Sequence, residues 1–188
     1  MEKQHNRGQD GAGVANIKLN IDPGNRYISR YRSTATNPIQ DIFSRINSRF
    51  EQIAEEEPKK LQDTKWLKEN VPFTGELMLG HLRYGTYGKN SIEYCHPFLR
   101  QNNWMTRNLV LAGNFNLTNV DELFEQLLEI GQHPKEKSDT ITIIEKIGHF
   151  LDEENDRLFK AYKKQNIPSN EISGHIAENI DIQRILTD

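Results

Sequence analysis

Residues 13 to 19, GVANIKL, and 27 to 33, YISRYRS, alternate apolar and polar side chains on either side of a DPGN turn at 22 to 25. A period of two sends successive side chains to opposite faces of a strand, and Pro-Gly-Asn between two such runs reverses the chain. The pattern therefore predicts a half-buried hairpin. Ile39, Ile42, Phe43, Ile46, Phe50 and Ile53 then recur at helical spacing after Asn37-Pro38. They predict an amphipathic helix over 39 to 54 that fades in the acidic stretch Glu55 to Glu57. Pro58 opens a segment that reads as a polar connection.

GELMLGHLRY (75 to 84) and NLVLAGNF (108 to 115) are the most strand-like segments and are assigned to a central sheet, with a Gly- and Pro-containing loop between them. After the second, Thr118 and Asp121 resemble a capping box. Val120, Leu123, Phe124, Leu127 and Leu128 form an apolar face over 120 to 130, and Gly131 supplies a stop. Ser138 or Asp139 caps a longer helix over 139 to 164, whose Ile141, Ile144, Leu151, Leu158, Phe159 and Tyr162 suggest core contact, with Pro168 as its end. The tail from Ser169 reads as a surface helix or a linker. One domain over 1 to 166 and a helical linker or tail over 167 to 188 are expected.

A chain of 188 residues can bury roughly 70% of the surface its unfolded form exposes, so it needs no covalent staple. Apolar residues make up 35% and charged residues 27% of the sequence, and the net charge of −3 is spread over interleaved acids and bases. No basic stripe offers itself to nucleic acid, and no apolar run is long enough to span a bilayer. A cytoplasmic protein with neither partner is expected. Cys95 is the only cysteine, which excludes an internal disulfide and a cysteine-rich zinc site.

Four residues suggest chemistry. Asn114, at the end of an apolar strand and next to the N–H of Phe115, has the form of an oxyanion-stabilising pair; it also has the form of an asparagine satisfying a turn. Arg83, before Gly85-Thr86-Tyr87-Gly88, is placed to clamp a carboxylate, with Thr86 adding a hydroxyl, or to pair with a nearby acid. Asp139 reads as an N-cap, as a holder of an ammonium group, or as both. Cys95 with His81 and His96 carries little metal or thiol chemistry: in a strand adjacent Cys95 and His96 would face opposite ways, and no base stands at a matching spacing.

Three blocks together, QHNRGQDGAG (4 to 13), GHLRYGTYG (80 to 88) and AGNFNLTN (112 to 119), followed by SDT (138 to 140), resemble the class II glutamine amidotransferases of the N-terminal nucleophile hydrolase fold. Within that family they are most similar to the glutaminase domain of the amidophosphoribosyltransferase branch. The resemblance covers about the first 150 residues. It implies an α+β fold, a four-layer α/β/β/α sandwich, here without its first strand. It implies hydrolysis of glutamine to glutamate and delivery of ammonia to a phosphoribosyltransferase domain in purine nucleotide synthesis, with no cofactor and no metal, and it leaves homo-oligomerisation open. By position, Arg83 and Thr86 take the glutamine α-carboxylate, Asp139 the α-ammonium, and Asn114 with the Phe115 N–H the oxyanion, while Arg7 braces the loop near the nucleophile.

Two departures follow from the same comparison of motifs. The family has His-Asn-Gly where this chain has Gly113-Asn114-Phe115. Its nucleophile is an N-terminal cysteine on a strand ahead of HNRGQDGAG, and this sequence opens with Met1 just before that block, so an upstream segment is expected to supply it; nothing after residue 150 shows the strand and acidic diphosphate-binding loop of a transferase half, so residues 167 to 188 are expected to lead toward one that is absent. A glutamine- or glutamate-binding module without catalysis is the competing expectation.

Overall fold

The computed structural model describes Met1 and residues 10–84 and 91–187 of the chain. Expectations resting on Arg7, on Thr86 and on most of the first block lie outside the described residues. The architecture is mixed α/β with antiparallel sheets, in two compact units, Met1–Pro97 and Phe98–Asp188.

In the first unit, β1 (Gly11–Ile17) is the middle of a three-stranded antiparallel sheet, between β2 (Ile28–Ser33) and β3 (Leu77–Arg83). The expected hairpin is present, with Val14 opposite Tyr31, and the other edge of β1 sets Val14 opposite Gly80. β1 is paired along both edges, and it is buried on both faces from Gly11 to Asn16. Ala12 and Val14 form a core with Ile42 of α1 (Pro38–Glu56), joined by Tyr31, Ile39, Ile46 and Leu82. Ile42 is fully buried, a burial that contributes on the order of 2 kcal/mol. Gly13, one step out of phase with Val14, faces the other side.

Asn16 is buried on the core side without being apolar. Its amide nitrogen donates to the carbonyls of Gly75 and Leu77, both at 2.9 Å, and its oxygen accepts from Gly75 N–H at 2.7 Å. It thereby fixes where β3 begins. The stretch after Pro58, expected as a connection, instead contains a 3₁₀ turn, Pro58–Gln62, and α2 (Thr64–Asn70). Asp63 caps α2 by accepting from Trp66 N–H at 2.9 Å, and the fully buried Val71 anchors its end.

In the second unit, β4 (Phe98–Arg100) and β5 (Leu109–Leu111) form an antiparallel ribbon. The strand expected over 108 to 115 is thus three residues long, and β5 does not share a sheet with β3. Asn108 closes the turn that joins the two strands: its side chain accepts from Asn102 N–H at 2.8 Å and donates to the carbonyls of Asn102, Trp104 and Met105. The ribbon holds three residue pairs, and β5 stops at Leu111, opposite Phe98, the first residue of β4.

α3 (Val120–Glu129) starts after Asn119, which makes no side-chain cap bond, so the expected Thr118–Asp121 box does not form. Its end is as expected. Gly131 takes φ +84°, and the N–H groups of Gly131 and Gln132 reach back to Leu128 and Leu127 in a Schellman turn. α4 (Asp139–Lys164) is capped by Ser138, whose hydroxyl accepts from Ile141 N–H. It ends at Lys164 in a second Schellman turn through Asn166, φ +59°, before Pro168 is reached. α5 (Ser169–Asn179) buries one face: Ile172 and Ile176 are fully buried and pack with Leu158 of α4 and with Trp104 and Phe159, while most of its other residues are exposed. α6 (Ile182–Thr187) follows. Among the described residues, no helix is long and apolar enough to cross a membrane.

Candidate functional site

The sequence-predicted residues fall in two places. Asn114 and Phe115 lie on the irregular segment between β5 and α3, where residues 112–117 have left the ribbon and their backbone groups are released from strand pairing. Asn114 is exposed and Phe115 half-buried. The Phe115 ring folds back over Gly113: a Cβ built on Gly113 would stand 2.3 Å from its Cζ. A side chain at 113 would have to displace the ring, so Gly113 lets it lie where it does.

Asp139 reaches the same segment from below. It is the first residue of α4, and its Oδ2 accepts from the Leu117 N–H at 3.0 Å. A carboxylate in the first turn of a 26-residue helix is favoured by the unpaired N–H groups there, and here it also ties down the loop two residues past Phe115. Ser138, not Asp139, is the cap. The structure therefore brings Asn114, Phe115 and Asp139 onto one short stretch of the second unit.

Arg83 belongs to the first unit, at the end of β3, and is buried. Its Nη1 donates to the Ser91 carbonyl at 3.1 Å, its guanidinium lies 5.5 Å from the centre of the Tyr94 ring, and it hydrogen-bonds the Cys95 thiol. The environment is that of a positioned arginine, held by the segment 91–97 that follows it.

Cys95 is fully buried beneath Gly11 and Ser33. Burial pushes its thiol above the ordinary range, and the hydrogen bond and charge of Arg83 and the charge of Arg32 only partly oppose this. A thiol kept protonated and out of solvent is no nucleophile. Cys95 and His96 lie between a 3₁₀ turn (Ile92–Tyr94) and β4. His96 stacks on His81, ring centres 4.5 Å apart at 29°. Burial first, then the charges of His81, Arg32 and Arg83, lower the His96 pKa to about 4. Spacing alone could not reveal this pair, because 15 residues and a turn separate its members. Among the described residues no group of three or more His, Cys, Asp or Glu could hold a metal ion.

Against this geometry the relatives can be placed. The amidophosphoribosyltransferase of Pasteurella multocida (strain Pm70) is 29% identical over 150 residues, 79% of this chain and 23% of that protein. The amidophosphoribosyltransferase of Archaeoglobus fulgidus is 33% identical over 82 residues, 44% of this chain and 18% of its own length. The glutamine--fructose-6-phosphate aminotransferase of Streptococcus pneumoniae serotype 4 is 33% identical over 90 residues, 48% of this chain and 14% of the relative. The chain is a distant homologue of these transferases. It spans less than a quarter of the length of each. No family model matches it.

Proposed function

We propose that the chain is the glutaminase part of a class II glutamine amidotransferase, built as the four-layer sandwich of the N-terminal nucleophile hydrolases. In this reading it hydrolyses glutamine to glutamate and supplies ammonia to a phosphoribosyltransferase domain of purine nucleotide synthesis, in the cytoplasm. The observation that carries the proposal is the 150-residue similarity to amidophosphoribosyltransferase, which covers 79% of the chain.

The roles follow the chemistry of amide hydrolysis. A thiolate attacks the glutamine side-chain carbonyl, the carbonyl oxygen becomes an oxyanion, and ammonia leaves when the intermediate collapses. Asn114 Nδ2 and the Phe115 N–H are the proposed oxyanion donors, each worth roughly 10²- to 10³-fold in rate. Their support is local: both stand on the segment that Asp139 fixes through Leu117. Arg83 and Thr86 receive the α-carboxylate, Asp139 the α-ammonium, and Arg7 braces the nucleophile's loop. The attacking thiol in this mechanism is a terminal cysteine with its own α-amine as base, a role that burial denies to Cys95.

Glutamine titrated against the protein tests the assignment. Binding should weaken at least about tenfold in Arg83→Leu and in Asp139→Ala, since each removes one charge from the pairing with a zwitterion. A reactive diazoketone analogue of glutamine should leave Cys95 unmodified. Binding untouched by both substitutions, or an adduct on Cys95, would overturn the roles. Glutamate release by the full gene product separates a hydrolase from a module that only binds the amino acid.

A further inference from the structure

Residues 91–97 are bound to the sheet of the first unit by an unusual set of contacts. Arg32, on β2, donates to the Cys95 carbonyl at 2.8 Å and reaches that of Glu93 at 3.5 Å. Arg30, two residues earlier on the same strand, donates to the Pro97 carbonyl at 3.3 Å, and Arg83, on β3, to that of Ser91 at 3.1 Å. Across β1 the segment runs so close that a Cβ on Gly13 would stand 1.9 Å from the His96 carbonyl oxygen. Three guanidinium groups thus take carbonyls of one irregular segment, and the His96 ring is stacked on His81 of β3 between them.

We propose that residues 91–97 form an acid-released strap: protonation at the stacked His81–His96 pair, beside Arg32 and Arg83, frees the segment from the sheet and uncovers Cys95. Among the described residues, β2 contributes Arg32 and β3 contributes His81 and Arg83, while Asp10, whose N–H donates to the Arg83 carbonyl, precedes β1, which offers no titratable side chain between Gly11 and Ile17. The strap itself carries Glu93, which acts on Arg32, and Tyr94, which lies beside Arg83. A proton on either imidazole therefore adds a cation to a site that already holds several, with little water to screen it. The inference does not depend on the glutaminase reading.

The sign of the effect follows from linkage. His96 is held near pKa 4 in the closed state against 6.5 ordinarily, so the open state takes up the proton first. The preference for closure is at its full value above about pH 6.5 and weakens progressively as pH falls toward 4. Those two values correspond to a rise of about 20-fold in the opening equilibrium between pH 7 and pH 5.

Because Cys95 is the sole cysteine, it reports the opening directly. The 188-residue chain is treated with 4,4′-dithiodipyridine, which remains reactive in acid. The labelling rate is divided by that of the unfolded polypeptide at the same pH, while hydrogen exchange of α1 amides is followed in parallel. The expected result is a rise of about 20-fold from pH 7 to pH 5 with α1 still protected, abolished in His96→Gln. His81→Gln, which removes one member of the stack, should show a shallower rise and carries the test if His96→Gln does not fold. A flat wild-type profile, an unaltered rise in either variant, or labelling that appears only together with loss of α1 protection would overturn the proposal.

Discussion

Two irregular segments, one bearing the stacked His96 and the other the proposed oxyanion donors, are seated differently. Residues 91–97 are pinned at their backbone: guanidinium groups take the carbonyls of Ser91, Cys95 and Pro97, and the His96 carbonyl presses on Gly13. Residues 112–117 are also gripped at the backbone, by the Asp139 carboxylate on the Leu117 N–H, but their close contact is a side chain, the Phe115 ring over Gly113, and Asn114 is exposed. A segment pressed on backbone leaves only as a whole, when its clamps are released together. One whose close contact is a side-chain ring can adjust locally.

The largest expected effect tests the first half of that contrast. In Gly13→Ala the new methyl would lie 1.9 Å from the His96 carbonyl oxygen and 2.9 Å from its carbon, backbone atoms both. Neither the middle strand nor the strap can yield alone, so the substitution should cost about 3 kcal/mol or more in urea unfolding. A loss below about 1 kcal/mol would show that the strap is not seated as described.

Asp139→Ala tests the second half. It removes the acceptor of the Leu117 N–H and a favourable charge from the start of α4, which should lower stability by about 1–2 kcal/mol. Ser138→Ala damages the same helix end by losing the cap to Ile141, for about 1 kcal/mol, without touching the loop. Asp139→Ala should therefore weaken glutamine binding while Ser138→Ala does not. Equal effects on binding would mean that the helix end, and not the tether, matters.

Gly113→Ala should be milder than Gly13→Ala although the added methyl comes nearly as close to a neighbour. At 113 that neighbour is the far edge of the Phe115 ring, which can turn away, so a loss within about 1 kcal/mol is expected from thermal unfolding. The pair of substitutions separates a clash with backbone from a clash with a side chain.

The same distinction explains what could be read from the sequence. Repetition of side chains reveals regular elements: Ile39, Ile42, Ile46 and Ile53 located α1, and Gly131 located the end of α3, because periodicity and a left-handed stop are local properties. Asp63-Thr-Lys-Trp66 was a cap signal, yet α2 has too short an apolar face for its period to stand out. The early end of β5 depended on where its partner β4 begins, at Phe98 opposite Leu111, and the burial of Ile172 and Ile176 on packing against Leu158. Neither has a local signature. Of the candidate site, Asn114, Arg83 and Asp139 stood out by motif. The ties Asp139–Leu117 and Arg83–Ser91 could not, since a backbone partner has no letter in the sequence.

The smallest expected effect concerns acid, and it keeps the strap's behaviour apart from an ordinary surface ion pair. Glu76, at the entry to β3, is joined to Lys68 of α2 and accepts from the Leu19 N–H at 2.9 Å. The Lys68 hydrogen bond first, and the Leu19 N–H next, lower its pKa from 4.5 to about 2. A carboxylate depressed by folding stabilises above its unfolded pKa and loses that contribution as pH falls through its folded one, so this pair acts between about pH 4.5 and pH 2. The His81–His96 stack acts between about 6.5 and 4. Glu76 is open to water, so its share is small, and Glu76→Gln should flatten the stability profile slightly below pH 4.5 while leaving Cys95 labelling between pH 7 and pH 5 unchanged. Chemical denaturation at a series of pH values measures the first and thiol labelling the second. If Glu76→Gln altered labelling near pH 5, opening of the strap would have to be assigned to a general loosening of the first unit and not to the histidine pair.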